Sequence, residues 1–228
     1  MAGPVEIASG CLWWKGWLDR AVQERLTDEL RRLLQRAPLF EPRMPRTGEP
    51  FSVRMSNCGP LGWVSDEAGY RYQPLHPQTG EPWPEMPETL LAAWRDLAGS
   101  PLPPEACLIN WYEPGARMGL HQDRDEREFG APVLSLSLGD TAVFRIGGTA
   151  RGDATRTIRL ESGDALLLSG PSRLAFHGID RIVAGSSTLL GRPGRINLTL
   201  RRVNPAENGV IPPSSELNTG DALQKETE

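Results

Sequence analysis

The sequence predicts an α+β fold that is mainly β: two helices towards the N-terminus, then a barrel or double-sheet roll. Two observations carry that expectation. Residues 18–36, LDRAVQERLTDELRRLLQR, set Leu18, Val22, Leu26, Leu30, Leu33 and Leu34 at helical spacing. From about residue 106 the chain breaks into short apolar runs divided by turn residues: CLINWYE, PVLSLSLG, TAVFRIGG, TRTIRLESGD, ALLLSG and RINLTLRRV. So many short strands in succession suit sheets that close on or pack over each other.

Taken in order, the first helix covers 18–36 and a second covers 87–98. The second has Pro87 near its start and Gly99 as its stop, and it buries Leu90, Leu91, Trp94 and Leu97. Between them, residues 37–88 are rich in Pro, Gly and aromatic side chains. That is too long for an ordinary connection, and such loops tend to be lids or binding loops. The polar, acidic stretch 204–228 reads as a disordered tail. The division expected is 1–105, helices plus lid, and 106–203, the β core, working as one catalytic domain.

Composition narrows the function. The chain has 228 residues, a net charge of −4 and a mean hydropathy of −0.39. No apolar run approaches the roughly 18–20 residues of a membrane span, so no membrane partner is expected. MAGPVEIASGCLWWKGW lacks the basic and apolar regions of a signal peptide, and Cys11, Cys58 and Cys107 form no CxxC pair. A cytosolic protein is expected. The acidic balance argues against a general polyanion binder. Residues 141–202, however, hold ten arginines and no lysine against four acids, a composition suited to bidentate contacts with carboxylate or phosphate.

The chemistry concentrates in GLHQDRDE, 119–126. His121 and Asp123 follow a predicted strand, and in extended chain residues i and i+2 point to one side. With His177 of LAFHGID they make two histidines and one carboxylate, the ligand set of a non-haem Fe(II) oxygenase, which leaves coordination positions open. A catalytic zinc is the chemical alternative. His76, in PLHPQTG, reads as a surface-loop residue. In RINLTLR, period two puts Arg195, Asn197, Thr199 and Arg201 on one face and Ile196, Leu198 and Leu200 on the other. Two arginines inside a barrel need an anion, and a short dicarboxylate fits between two such arms. If instead the strand lies at an edge, its arginines point to solvent and the Ile/Leu face is core.

HQD at 121–123, His177 and RINLTLR at 195–201 together resemble the AlkB family of Fe(II)/2-oxoglutarate dioxygenases. CLINWYEPGA, APVLSLSLG, LGW and PQTGEPWP are similar to its bacterial DNA-repair branch, and the likeness covers about residues 50–202. Trp111 departs from it, standing where that branch has a basic residue. The resemblance implies a double-stranded β-helix (jelly-roll) core under a nucleotide-recognition lid. It implies Fe(II) on His121, Asp123 and His177, and 2-oxoglutarate on Asn110, Tyr112, Arg195, Asn197 and Arg201, with O2 as co-reactant. Trp63, Tyr70, Asp125 and Arg151 match positions that meet the substrate base, and Met55 packs beside the pocket or in the core. The implied activity is oxidative removal of alkyl groups from 1-methyladenine- or 3-methylcytosine-type bases by a monomer. The expected partner is alkylated DNA, preferentially single-stranded, with RNA as an alternative. A related dioxygenase acting on RNA, protein or a small molecule would share every iron and cosubstrate residue, and a non-enzymatic β-roll would need neither set.

Overall fold

A computed structural model describes residues 3–206; of the expected tail, 207–228 lie outside the described residues. Among the described residues thirteen strands and two α-helices are formed: β1 (Val5–Ala8), β2 (Cys11–Trp14), α1 (Arg20–Arg36), β3 (Arg54–Cys58), β4 (Gly62–Asp66), β5 (Gly69–Gln73), α2 (Glu88–Leu97), β6 (Ala106–Tyr112), β7 (Met118–His121), β8 (Val133–Gly139), β9 (Thr141–Ile146), β10 (Arg156–Leu160), β11 (Ala165–Leu168), β12 (His177–Val183) and β13 (Arg195–Arg201). They form a seven-stranded sheet in the order β1-β2-β11-β8-β13-β6-β3, a four-stranded sheet β10-β9-β12-β7, and the separate hairpin β4-β5. All strand pairings are antiparallel.

Helix α1 starts where Asp19 accepts the Val22 amide at 2.8 Å, a side-chain N-cap. It buries Leu26, Leu30 and Leu33, with the polar Gln23 tied down by donating to Leu18 O and accepting from Ser162. Helix α2 buries Leu90, Ala93 and Trp94, while Leu91 and Leu97 stay half-buried.

Strand β13 pairs with β6 on one side and β8 on the other. It is therefore central, not an edge, and its two arginines are enclosed: Arg195 is 0% exposed and Arg201 6%. The strands before residue 105 are not an appendage, because β1, β2 and β3 all belong to the seven-stranded sheet. The stretch 37–88, expected as a lid or binding loop, holds β3 and the β4-β5 hairpin, and β1, β2, β7 and β12 add strands beyond those expected from the sequence.

His76 corrects another expectation. It is buried at 1% exposure, with Nε2 bonded to Pro38 O at 2.8 Å and Nδ1 accepting the Gln78 and Thr79 amides. Its ring packs among Phe40 and Trp83. It pins the Pro-rich loop, and the flanking prolines and glycine concealed that role in the sequence.

Candidate active site

His121 ends β7 and His177 opens β12, and the antiparallel register places them directly opposite each other with ring centroids 4.5 Å apart. Gly178 permits this approach. A Cβ there would meet Met118 O at 2.5 Å and Gly119 O at 2.9 Å, so any side chain would push β7 off β12. Asp123, two residues beyond β7, completes the cluster: Oδ1 lies 3.8 Å from His121 Nε2 and Oδ2 lies 3.8 Å from His177 Nε2. The three donor atoms fall within 4.8 Å of one another.

Local bonds decide which nitrogens are free. His121 Nδ1 is bonded to Gly119 O and His177 Nδ1 to Ala175 O, each at 2.9 Å. Both Nδ1 atoms therefore carry the proton, and both Nε2 lone pairs face Asp123. Burial, reinforced by His121, pushes the His177 pKa down to about 4, so its ring is neutral and ready to bind a cation. Burial alone would raise Asp123, but Arg201, His177 and His121 offset it and hold the carboxyl well below its usual range. Asp123 Oδ2 is buried without a hydrogen-bond partner. Two imidazole Nε2 atoms and an orphaned carboxylate oxygen converging on one point fit Fe(II).

Beside this cluster lies a cavity of about 80 Å3, several times what one water needs. Its lining joins Asn110 and Tyr112 of β6, Arg195, Asn197 and Arg201 of β13, and the three metal-site residues. Arg201 marks the metal end, donating from Nη2 to Asp123 Oδ1 at 2.8 Å. Arg195 lies deeper, with its terminal nitrogens bonded to Asp140 O, Leu160 O and Ser137 Oγ. Burial lowers its pKa to about 10, which still leaves it a cation at neutral pH. Arg195 Nε, Arg201 Nη1 and Asn110 Oδ1 are buried without hydrogen-bond partners. Unsatisfied guanidinium donors in a closed cavity are expensive without a ligand, and an anion such as 2-oxoglutarate answers them. Tyr112 is pushed up to about 12 by burial, so its hydroxyl keeps its proton.

A second, more open cavity of about 270 Å3 lies under the β4-β5 hairpin, lined by Phe51, Met55, Trp63, Tyr70, Tyr72 and Asp125 among others. Met55, 1% exposed, both lines this pocket and belongs to the core. Trp63 stacks on Tyr70 at 5.6 Å and 17°, and its Nε1 donates to Asp125 at 2.8 Å. Asn57, fully buried on β3, clamps the Trp63 backbone by donating to its carbonyl and accepting its amide, both at 3.0 Å. Arg151 lines neither cavity; it bonds to Leu120 O and lies over Phe176. Sequence reasoning missed Asn57, Tyr72, Glu126 and Arg173. Glu126 had a signal, being the last acid of HQDRDE, whereas Arg173 and Asn57 had none.

Residues 10–201 match the family model of the 2OG-Fe(II) oxygenase superfamily. The chain is 53% identical over 206 residues to the alpha-ketoglutarate-dependent dioxygenase AlkB homolog of Caulobacter vibrioides, covering 90% of this chain and 93% of the relative. It belongs to the AlkB family. It is also 42% identical to Escherichia coli AlkB over 188 residues, covering 81% and 86% of the two chains. The solved structure of OsALKBH1 superposes with a TM-score of 0.75 at 31% identity, covering 87% of this chain and 99% of that one. The fold is thus the jelly roll of this family, and the chain is a dioxygenase that uses Fe(II), 2-oxoglutarate and O2. Among the described residues no helix is long and apolar enough to cross a membrane.

Proposed function

We propose that this chain oxidatively dealkylates N-alkylated bases of the 1-methyladenine and 3-methylcytosine type in DNA. One observation carries the reading: the lid cavity and the cosubstrate cavity meet at the metal site, sharing Leu108, Met118, His121, Asp123 and Arg201. A group held under the lid is therefore presented to the iron. Fe(II) with 2-oxoglutarate and O2 supplies C–H hydroxylation, and a hydroxylated N-alkyl carbon collapses to an aldehyde and the free base.

The protein's part is to bind, orient and exclude water. His121, Asp123 and His177 would hold the iron, the two histidines offering their Nε2 atoms and Asp123 its carboxylate. Arg201, Arg195, Asn110, Asn197 and the Tyr112 hydroxyl receive the dicarboxylate. Trp63 and Tyr70 give a flipped base an aromatic face, as chemistry on a base outside its stack requires. The Asp125 carboxylate accepts a hydrogen bond from an exocyclic amine in place of the one Trp63 now donates. Single-stranded DNA is the favoured partner, because unstacking costs least there. The chain is proposed to act as a monomer. With β1, β2 and β3 in the main sheet, 1–105 and 106–203 act as one catalytic unit. Three buried free thiols suit a reducing, cytoplasmic compartment.

The test is an oligonucleotide carrying a single 1-methyladenine, incubated with Fe(II) and 2-oxoglutarate. Loss of one methyl by mass spectrometry, with stoichiometric aldehyde and succinate, is expected. An unrepaired base alongside steady substrate-free consumption of 2-oxoglutarate would point instead to a dioxygenase acting on RNA, protein or a small molecule.

A further inference from the structure

Four charged side chains form a closed cluster behind the metal site. Asp123 pairs with Arg201, Glu126 lies between Arg201 and Arg173, and Arg173 donates to the Asp123 backbone carbonyl at 2.8 Å. All are buried: Glu126 is 5% exposed and Arg173 3%. Two carboxylates and two guanidiniums balance, which is the condition for holding them out of water. The cluster has one neutral member from the lid. Tyr72 of β5 donates its hydroxyl proton to Glu126 Oε1, and that same oxygen lies 3.2 Å from Arg201 Nε. Tyr72 is also the register partner of Trp63 across the hairpin. The adjacent acids 125 and 126 thus each take one lid aromatic: Asp125 takes Trp63 and Glu126 takes Tyr72.

We propose that Glu126 is a positioning residue that aims the Arg201 guanidinium at the cosubstrate and ties that aim to the lid through Tyr72. Arg201 needs such help. Asp123 holds only its Nη2, and neither Nη1 nor Nε makes a hydrogen bond. The Nε contact with Glu126 is an ion-pair contact without hydrogen-bond alignment, so Oε1 orients the arm by charge while leaving Nη1 for a ligand. Without the carboxylate, Arg173 and Arg201 would face each other across a neutral group, and Arg201 would swing further onto Asp123.

The inference rests on the reading of Arg201 as a 2-oxoglutarate ligand, and the test separates the two. The full chain, loaded with Mn(II) so that no turnover occurs, is titrated with 2-oxoglutarate by calorimetry, with melting temperature recorded for each variant. Glu126→Gln, which keeps the volume and an acceptor for Tyr72, is expected to weaken binding about tenfold. Tyr72→Phe, which removes one hydroxyl, is expected to weaken it about threefold and to add nothing further in the Glu126→Gln background, as two members of one relay should. Arg201→Ala must weaken binding in the same assay; if it does not, the cosubstrate reading of Arg201 falls and the inference with it. If Arg201→Ala weakens binding while Glu126→Gln and Tyr72→Phe only lower the melting temperature, Glu126 merely holds the fold and the inference is overturned. Should Glu126→Gln fail to fold, the Tyr72→Phe affinity alone decides.

Discussion

Each metal-site histidine has one ring nitrogen committed to a backbone carbonyl two residues before it: Gly119 O for His121 and Ala175 O for His177. The tautomer is therefore fixed by the chain itself before any metal arrives. His177→Ala is expected to abolish turnover while the β core still folds, because the ring lies at the start of β12 and not in the middle of the apolar cluster. Normal activity in the metal-reconstituted variant would remove His177 from the ligand set. A different buried residue gives a pH dependence. Burial of Cys11 on β2 pushes its thiol from 9.0 up to about 12. A folded pKa above the unfolded one means that the unfolded chain sheds its proton first as pH rises. The contribution is complete below about pH 9 and is lost between about 9 and 12. Denaturant titrations across that window should show stability falling with pH, and less steeply in Cys11→Ala; equal slopes would mean that Cys11 is no part of the alkaline transition.

At the level of elements, short apolar runs set off by turn residues made β6, β8, β9, β10, β11 and β13 legible, and most of them are buried along nearly their whole length. Period two in RINLTLR separated the arginine face from the Ile/Leu face, and the former lines the cavity beside the metal site. The β4-β5 hairpin was illegible for a physical reason. Its five-residue strands pair only with each other, and what fixes the hairpin is side-chain chemistry from elsewhere: the Asn57 clamp and the Trp83 indole that donates to Gln73 O at 2.8 Å. Strand β7 was missed because MGLH is four residues long and gains its partner, β12, only through the Gly178 approach. On the proposed reading, the hairpin's attachment would make base binding separable from the chemistry of the core. Trp63→Ala is expected to cost about ten- to hundredfold in repair of methylated DNA, the scale of roughly 1–3 kcal/mol for base stacking. Substrate-free consumption of 2-oxoglutarate should largely survive, since Trp63 lines only the lid cavity. Equal loss of repair, uncoupled turnover and melting temperature would make Trp63 a packing anchor.

Across the whole molecule, the two sheets divide the work. The four-stranded sheet carries both metal-site histidines, and the seven-stranded sheet carries Asn110, Tyr112 and the two arginines proposed to receive 2-oxoglutarate. On the proposed assignment metal and cosubstrate would together bridge the sheets, so each should raise the stability of the fold. They should also help each other. Asp123 is 2.8 Å from Arg201 and competes with any incoming anion for that guanidinium. A divalent ion draws on the same carboxylate and leaves Arg201 freer to receive 2-oxoglutarate. A ligand at a hundred times its Kd adds about 2.7 kcal/mol to the native state. For a chain of this size that corresponds to roughly 5–10 °C in melting temperature. Scanning calorimetry is expected to show a small shift with 2-oxoglutarate alone and a clear one with Mn(II). Both together should exceed the sum of the two, chelator should erase the metal-dependent part, and His177→Ala should lack it from the start. Strictly additive shifts would mean that Asp123 does not gate Arg201, and that metal and anion bind as independent neighbours between the sheets.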